Sequence, residues 1–117
     1  EANFSASSKY KETYFRSGVY RGKTIPVKSF PKNSLGLYDM SGGVWELVSD
    51  WYDENYYSNS PKDNPKGRSG SSFRVLRGGS WFSGPRQVRA ANRSGINPSS
   101  RRSYLGFRIA IGASGQE

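Results

Sequence analysis

Glycine and proline interrupt this chain so often, fourteen and six times in 117 residues, that long helices or strands have little room to form. The punctuation is densest in "FRVLRGGSWFSGPRQVRAANR", residues 73–93. There a strand-like run, a double glycine, a tryptophan and three spaced arginines follow one another. Such a run implies a backbone bent around a site. Only 33% of residues are hydrophobic but 15% are aromatic, so a few large rings are expected to supply much of the burial.

Residues 1–35 are polar and irregular, with "TIPVKSFPKNS" reading as an extended, proline-kinked segment. "LGLYDMSGG" reads as one turn of helix or a tight loop closing on Gly42 and Gly43. In "VWELVSDWY" the alternation places Trp45, Leu47 and Trp51 on one face and Glu46 and Asp50 on the other, which predicts a strand. Residues 53–72 form a long polar connection. "FRVLR" is a short strand stopped by Gly78 and Gly79, and "YLGFRIAI" is a closing strand. Arg86, Arg89 and Arg93, at i, i+3 and i+7, predict one face of a short helix. Trp45, Trp51 and Phe107 are the expected core anchors, whereas Trp81 borders the glycine turn. The expected architecture is loop-rich α+β, with one domain over residues 1–112 and a tail at 113–117.

The chain contains neither cysteine nor histidine. From its own residues it therefore cannot build a thiol nucleophile, a disulfide, a usual zinc site or a histidine general base. Residues 1–63 hold eight basic and eight acidic side chains, but residues 64–117 hold ten basic ones, all but one arginine, against Glu117 alone. A basic half is compatible with an anionic partner; spaced arginines also brace loops by bonding carbonyls, as expected for Arg77 and Arg108. No stretch reads as a membrane span or a signal peptide. The start at Glu1 suggests a processed or trimmed chain. "NFS" at Asn3 and "NRS" at Asn92 match glycosylation sequons, a pattern common by chance.

"LGLYDMSGGVWELVSDWY", "RVLRGGSW", "VRAANR" and "LGFRIA", in this order, together resemble the formylglycine-generating enzyme family, the sulfatase-modifying factor domains. The opening "EANF" resembles the start of that domain's C-terminal half, so the resemblance covers residues 1 to about 111. It implies an elaborated C-type-lectin-like fold of sparse secondary structure, in which the GGSW turn lines the active-site groove. Family enzymes oxidise a substrate cysteine to formylglycine with two cysteines that hold copper. The first would stand at Ser83 and the second between Pro85 and Val88, where no cysteine occurs. A hydroxyl does not replace a thiolate on copper(I), so neither copper nor the oxidase reaction is expected.

The resemblance also implies calcium, held by the Asp39 side chain, the Gly42 and Val44 carbonyls and the Glu46 side chain. Oxygen donors on a glycine-bent loop suit that hard cation. Gly43 stands where the family usually has asparagine. In the competing reading Asp39 caps a turn and Glu46 pairs with an arginine. A weaker second site would use Asn3 and the Phe4 carbonyl, but the acid it needs is missing from Ser17 to Val19.

Two functions follow from the resemblance. One is a non-catalytic ligand- or protein-binding module, with Ser80, Trp81, Phe82, Ser83, Arg86, Arg93 and Tyr104 as candidate ligand-binding residues. Some relatives are surface receptors diversified by retroelements at asparagine codons. Phe82, Ser83, Gly84, Ile96, Ser103 and Tyr104 are each reachable from such a codon, although ordinary drift would also place them there. The other is the substrate-pocket half of an enzyme of different chemistry, similar to ergothioneine-type sulfoxide synthases, with Arg86 and Arg93 holding a carboxylate. Nucleic-acid binding through Tyr56, Tyr57, Trp81 and Tyr104 lacks a motif and is not favoured. The implied partner is the missing N-terminal half of the domain or another chain. No compartment follows from the residues; the receptor resemblance leans to an extracytoplasmic or cell-surface one.

Overall fold

The computed structural model describes residues 2–7 and 18–112; the expected tail at 113–117 and Ser17 lie outside them. Four short strands, β1 (Trp45–Trp51), β2 (Arg74–Arg77), β3 (Ser94–Ile96) and β4 (Leu105–Gly106), form one mixed sheet in the order β3-β2-β1-β4. β2 runs antiparallel to β1 and β3, whereas β4 runs parallel to β1. One short helix, α1 (Tyr56–Asn59), interrupts the polar connection; the sequence reading had only loop there. The rest of the described residues is turns and ordered loops, and the architecture is the loop-rich α+β type expected.

β1 forms where the alternation places it. Glu46 pairs with Arg77 and Leu47 with Leu76, but Trp51 pairs with Arg74. The register slips between Leu47 and Trp51, so that stretch of β1 outruns its partner and bulges. The slip brings the Arg74 guanidinium over the Trp51 ring, 3.7 Å from its centroid. Successive residues of β2, Val75 and Leu76, are both buried, so both faces of this central strand are covered. With Trp45 and Ala6 they are the buried hydrophobic residues among those described.

Two expectations fail, and one open choice is decided. Residues 86–93 make successive turns, with Gln87 N–H donating to the Gly84 carbonyl and Asn92 N–H to that of Arg89, instead of a helix. Gly84 and Pro85 at its start and a span too short to bury a face leave nothing to stabilise a helix. The closing strand ends at Gly106, and Phe107 beyond it is 75% exposed, not a core anchor. Of the two readings of "LGLYDMSGG", the loop is the one that forms: no helical turn occurs, and Asp39, Gly42 and Gly43 all adopt positive φ.

Candidate functional site

The two double glycines find each other in space. Gly42 N–H donates to the Gly78 carbonyl and Gly43 N–H to that of Asn3, both at 2.8 Å. Trp81 N–H donates to the Gly43 carbonyl and Ser5 N–H to that of Ser83, again at 2.8 Å. Three loops, at residues 3–6, 42–43 and 78–83, are thus knitted backbone to backbone. Only glycine fits the crossing: a Cβ on Gly42 would lie 2.4 Å from the Asn3 carbonyl oxygen, at φ +78°. The double glycine after β2 is therefore a point of close approach between chain segments.

Beside this knot lies a cleft of about 550 Å³ lined by Asn3, Asp39, Gly42, Val44, Glu46 and Arg108, among others. The structure thus brings all four expected calcium donors and Asn3 to one cavity. Asp39, at φ +54°, accepts a hydrogen bond from Lys28 N–H on Oδ2 at 2.9 Å. Arg108 grips the Glu46 carboxylate with two nitrogens, Nε lying 2.7 Å from Oε2. It also donates to the Tyr38 and Asp39 carbonyls at 3.0 and 3.1 Å. The Glu46 hydrogen bond raises the pKa of Arg108 above the ordinary value; partial burial opposes this, and the charges of Glu46 and Asp39 reinforce it. Asn3 is 3% exposed, and its Nδ2 donates to the Lys23 carbonyl at 2.9 Å. Its Oδ1 is buried without a partner. A buried, orphaned oxygen on a residue that shares its cavity with two carboxylates suits a hard cation, although Glu46 also serves Arg108 and no cluster of three or more acidic, cysteine or histidine side chains occurs among the described residues. The burial of Asn3 also makes it a poor glycan acceptor.

The GGSW loop divides its side chains between inside and outside. Ser80 and Ser83 are buried. Ser83 Oγ accepts from Ser80 N–H at 3.0 Å and lies 3.2 Å from Ser80 Oγ, which in turn accepts from Phe82 N–H at 3.2 Å. These hydroxyls brace the turn and do not face solvent. Phe82 is 62% exposed; its ring stacks on Tyr104 at 6.3 Å and meets Trp81 edge-on at 5.7 Å. Of the candidate ligand residues, then, Trp81, Phe82 and Tyr104 form one aromatic surface, and Arg86 is exposed.

Arg93 goes elsewhere. Its guanidinium lies 4.9 to 5.9 Å from the ring centroids of Tyr52, Tyr56 and Tyr57. Arg77 joins this cluster, donating to the Tyr57 hydroxyl and the Ala90 carbonyl, both at 3.1 Å. Arg77 and Arg108 therefore tie loops, as expected. The tyrosine box was not foreseen; its signal is the repeated tyrosine of "WYDENYY" opposite a chain rich in arginine.

A loop-rich α+β domain with a glycine-knit groove and no cysteine on its lining defines the class. The chain belongs to the formylglycine-generating enzyme family: residues 2–113 match the model of the sulfatase-modifying factor enzyme 1-like domain. It is 40% identical over 99 residues to serine/threonine-protein kinase pkn1 of Chlamydia caviae, covering 83% of this chain and 16% of that one. It is 44% identical over 90 residues to formylglycine-generating enzyme of Streptomyces coelicolor, covering 74% of this chain and 29% of the relative. Among solved structures, Treponema denticola variable protein 1 superimposes with a TM-score of 0.72 at 33% identity, over 91% of this chain and 34% of that one. The chain thus spans between about a sixth and about a third of the length of these relatives. No helix among the described residues is long and apolar enough to cross a membrane.

Proposed function

We propose that this domain is a non-catalytic ligand- or protein-binding module, with Trp81, Phe82 and Tyr104 as its contact surface. The observation that carries the reading is the fate of Ser83. Where the resemblance puts a copper-binding thiolate, a buried hydroxyl braces the Ser80 turn, while the neighbouring Phe82 ring faces solvent. The likeness to Treponema denticola variable protein 1 supports a fixed frame carrying changeable loops. The alternative of a substrate-pocket half draws less support, because the Arg93 guanidinium is engaged with the rings of Tyr52, Tyr56 and Tyr57.

In the same reading calcium braces the cleft, held by Asp39, the Gly42 and Val44 carbonyls and Glu46, with Asn3 and the Phe4 carbonyl as a weaker adjoining set. Bound there, it would supply positive charge between the Asp39 loop and the start of β1, sharing Glu46 with Arg108. A further chain or segment completes the domain, and an extracytoplasmic or cell-surface setting suits such a module.

The test has two parts. Thermal unfolding with calcium against a chelator should show a rise in Tm that D39A removes; equal Tm values would refute the calcium brace. Copper(I) titration against a chelating competitor, followed by incubation with a cysteine-containing sulfatase peptide, should show no stoichiometric complex and no loss of the thiol. A tight copper complex or conversion of the peptide would overturn the non-catalytic reading.

A further inference from the structure

The loop "NPSSRRSY", residues 97–104, joins β3 to β4 and holds the one place in the chain where two basic side chains adjoin, Arg101 and Arg102. Adjacent basic residues arise easily in a chain this basic, so the setting carries the argument. Asn97, Pro98, Ser99, Arg101, Arg102 and Ser103 are all exposed. Among the described residues, the hydrogen bonds of residues 98–103 reach no farther than Asn97 and Leu105. Ser100 N–H donates to the Asn97 carbonyl and Ser99 N–H to Asn97 Oδ1, both at 2.9 Å. Leu105 N–H donates to the Arg102 carbonyl at 3.2 Å, and Arg102 Nη1 to the Arg101 carbonyl at 2.8 Å. Arg77, Arg93 and Arg108, by contrast, all reach across the chain. Arg101 and Arg102 border a cavity of about 330 Å³ together with Leu47, Ile96 and Leu105 of the sheet, so the loop spans a void and is not packed onto β1. Among the described residues no carboxylate pairs with either guanidinium. Glu46, opposite Gly106 in the sheet, is gripped by Arg108, and Asp39 lies with it on the other cavity. An exposed, polar loop held only by its own turns opens at low cost, which is where proteases cut.

We infer that the Arg102–Ser103 bond is a processing site for an endoprotease specific for paired basic residues, and that the cut dismantles the aromatic contact surface. The second part rests on the reading of Trp81, Phe82 and Tyr104 as that surface. Such a protease presents carboxylates to two successive guanidinium groups. The net reaction is hydrolysis: water is consumed, the Arg102–Ser103 C–N bond breaks, and a carboxylate at Arg102 and an ammonium group at Ser103 remain. Tyr104, whose ring stacks on Phe82, lies on the severed side. Few contacts hold that side in place. Trp45 N–H donates to the Tyr104 carbonyl at 2.7 Å, Leu105 and Gly106 pair with Trp45 and Glu46, and Arg108 bonds Tyr38, Asp39 and Glu46. Phe107, Ile109 and Ile111 are exposed, so little apolar burial adds to these bonds. Once cut, the segment loses the effective concentration that the chain linkage supplied. It leaves with Tyr104, and the Phe82 ring loses its stacking partner.

The experiment incubates the folded chain with a purified endoprotease specific for Arg–Arg pairs, reads intact masses over time, and passes the product through gel filtration at micromolar concentration. A synthetic peptide of residues 97–106 is the control for recognition of the sequence. Expected is a first cut after Arg102, giving residues 1–102 and 103–117, which separate on the column. R101Q removes one charge-assisted contact with the protease and should slow the cut by about tenfold or more, with an unchanged circular dichroism spectrum. A folded chain that resists while the peptide is cut would overturn the exposed site, and an uncut peptide would overturn the sequence assignment. A first cut elsewhere would overturn the selection of this loop. A cut segment that stays with residues 1–102 through the column would overturn the dismantling of the surface. These masses do not depend on whether the aromatic surface binds anything, so failure of the cut and failure of the contact-surface reading are told apart.

Discussion

Gly42 and Gly43 offer a matched pair of substitutions. Both sit at φ +78°, so alanine at either position adopts a left-handed conformation at about 1–2 kcal/mol. In both, alanine recovers about 0.4–1 kcal/mol by restricting the unfolded chain. For G43A nothing lies within 4 Å of the new Cβ, and the net cost should stay near 1 kcal/mol. For G42A the Cβ meets Asn3 backbone atoms at 2.4, 2.9 and 3.1 Å, none of which can swing away as a side chain would. The loops must part. The Gly43-to-Asn3 and Gly42-to-Gly78 hydrogen bonds are lost or stretched, at about 1 kcal/mol each. G42A should therefore cost about 3 kcal/mol, roughly 2 more than its neighbour. For a domain of this size that separates the two melting temperatures by about 8 °C. Calorimetry or thermal unfolding by circular dichroism measures it. Equal Tm values for G42A and G43A would show that residues 3–6 do not cross at Gly42, and the glycine knot would be wrong.

The remaining predictions concern the core and the arginine ties. Val75→Ala, at a side chain 1% exposed, should cost about 2 kcal/mol in denaturant unfolding; a loss under about 0.5 would place Val75 outside the core. R93A should cost about 1–2 kcal/mol by removing the cation from its three tyrosine rings, and an unchanged midpoint would dissolve the cluster. R108A should cost about 1–2 kcal/mol, a figure held down because the Arg108 side chain is 39% exposed. The pKa of Arg108 is raised by its hydrogen bond to Glu46, against burial and with the charges of Glu46 and Asp39. Its stabilisation is thus fully present below the ordinary arginine value and lost only as pH climbs through the raised one. The stability gap between wild type and R108A should therefore hold constant from neutrality to about pH 10; a gap that closes within that range would refute the assignment.

Legibility varied with the range of the interactions. β1 and β2 were readable because alternation and flanking glycines act locally, and the chain folds there as the pattern says. The 86–93 helix failed because arginine spacing alone says nothing about which partner each side chain meets. Arg93 is drawn to tyrosines more than thirty residues earlier. Phe107 read as core since it is large, aromatic and strand-patterned, yet nothing among the described residues covers it. Asp39 and Glu46 were singled out as one site, and the cavity does unite them. The competing reading paired Glu46 with an unnamed arginine; that it is Arg108, 62 residues away, became visible only in three dimensions.

By itself the sequence determined the chemistry: no thiol and no imidazole, hard oxygen donors around Asp39 and Glu46, and positive charge in the second half. It also marked most of the places where the backbone takes positive φ, a conformation that glycine adopts freely, although Lys28, Asp39 and Asn64 adopt it too. Only the tertiary structure decided that Gly42 and Gly78 bend toward each other, that Ser83 turns inward while Phe82 turns out, and that β4 is the outer strand of the sheet among the described residues. Those outcomes depend on contacts between segments distant in the chain, where excluded volume and hydrogen-bond satisfaction act on whole loops and not on single residues.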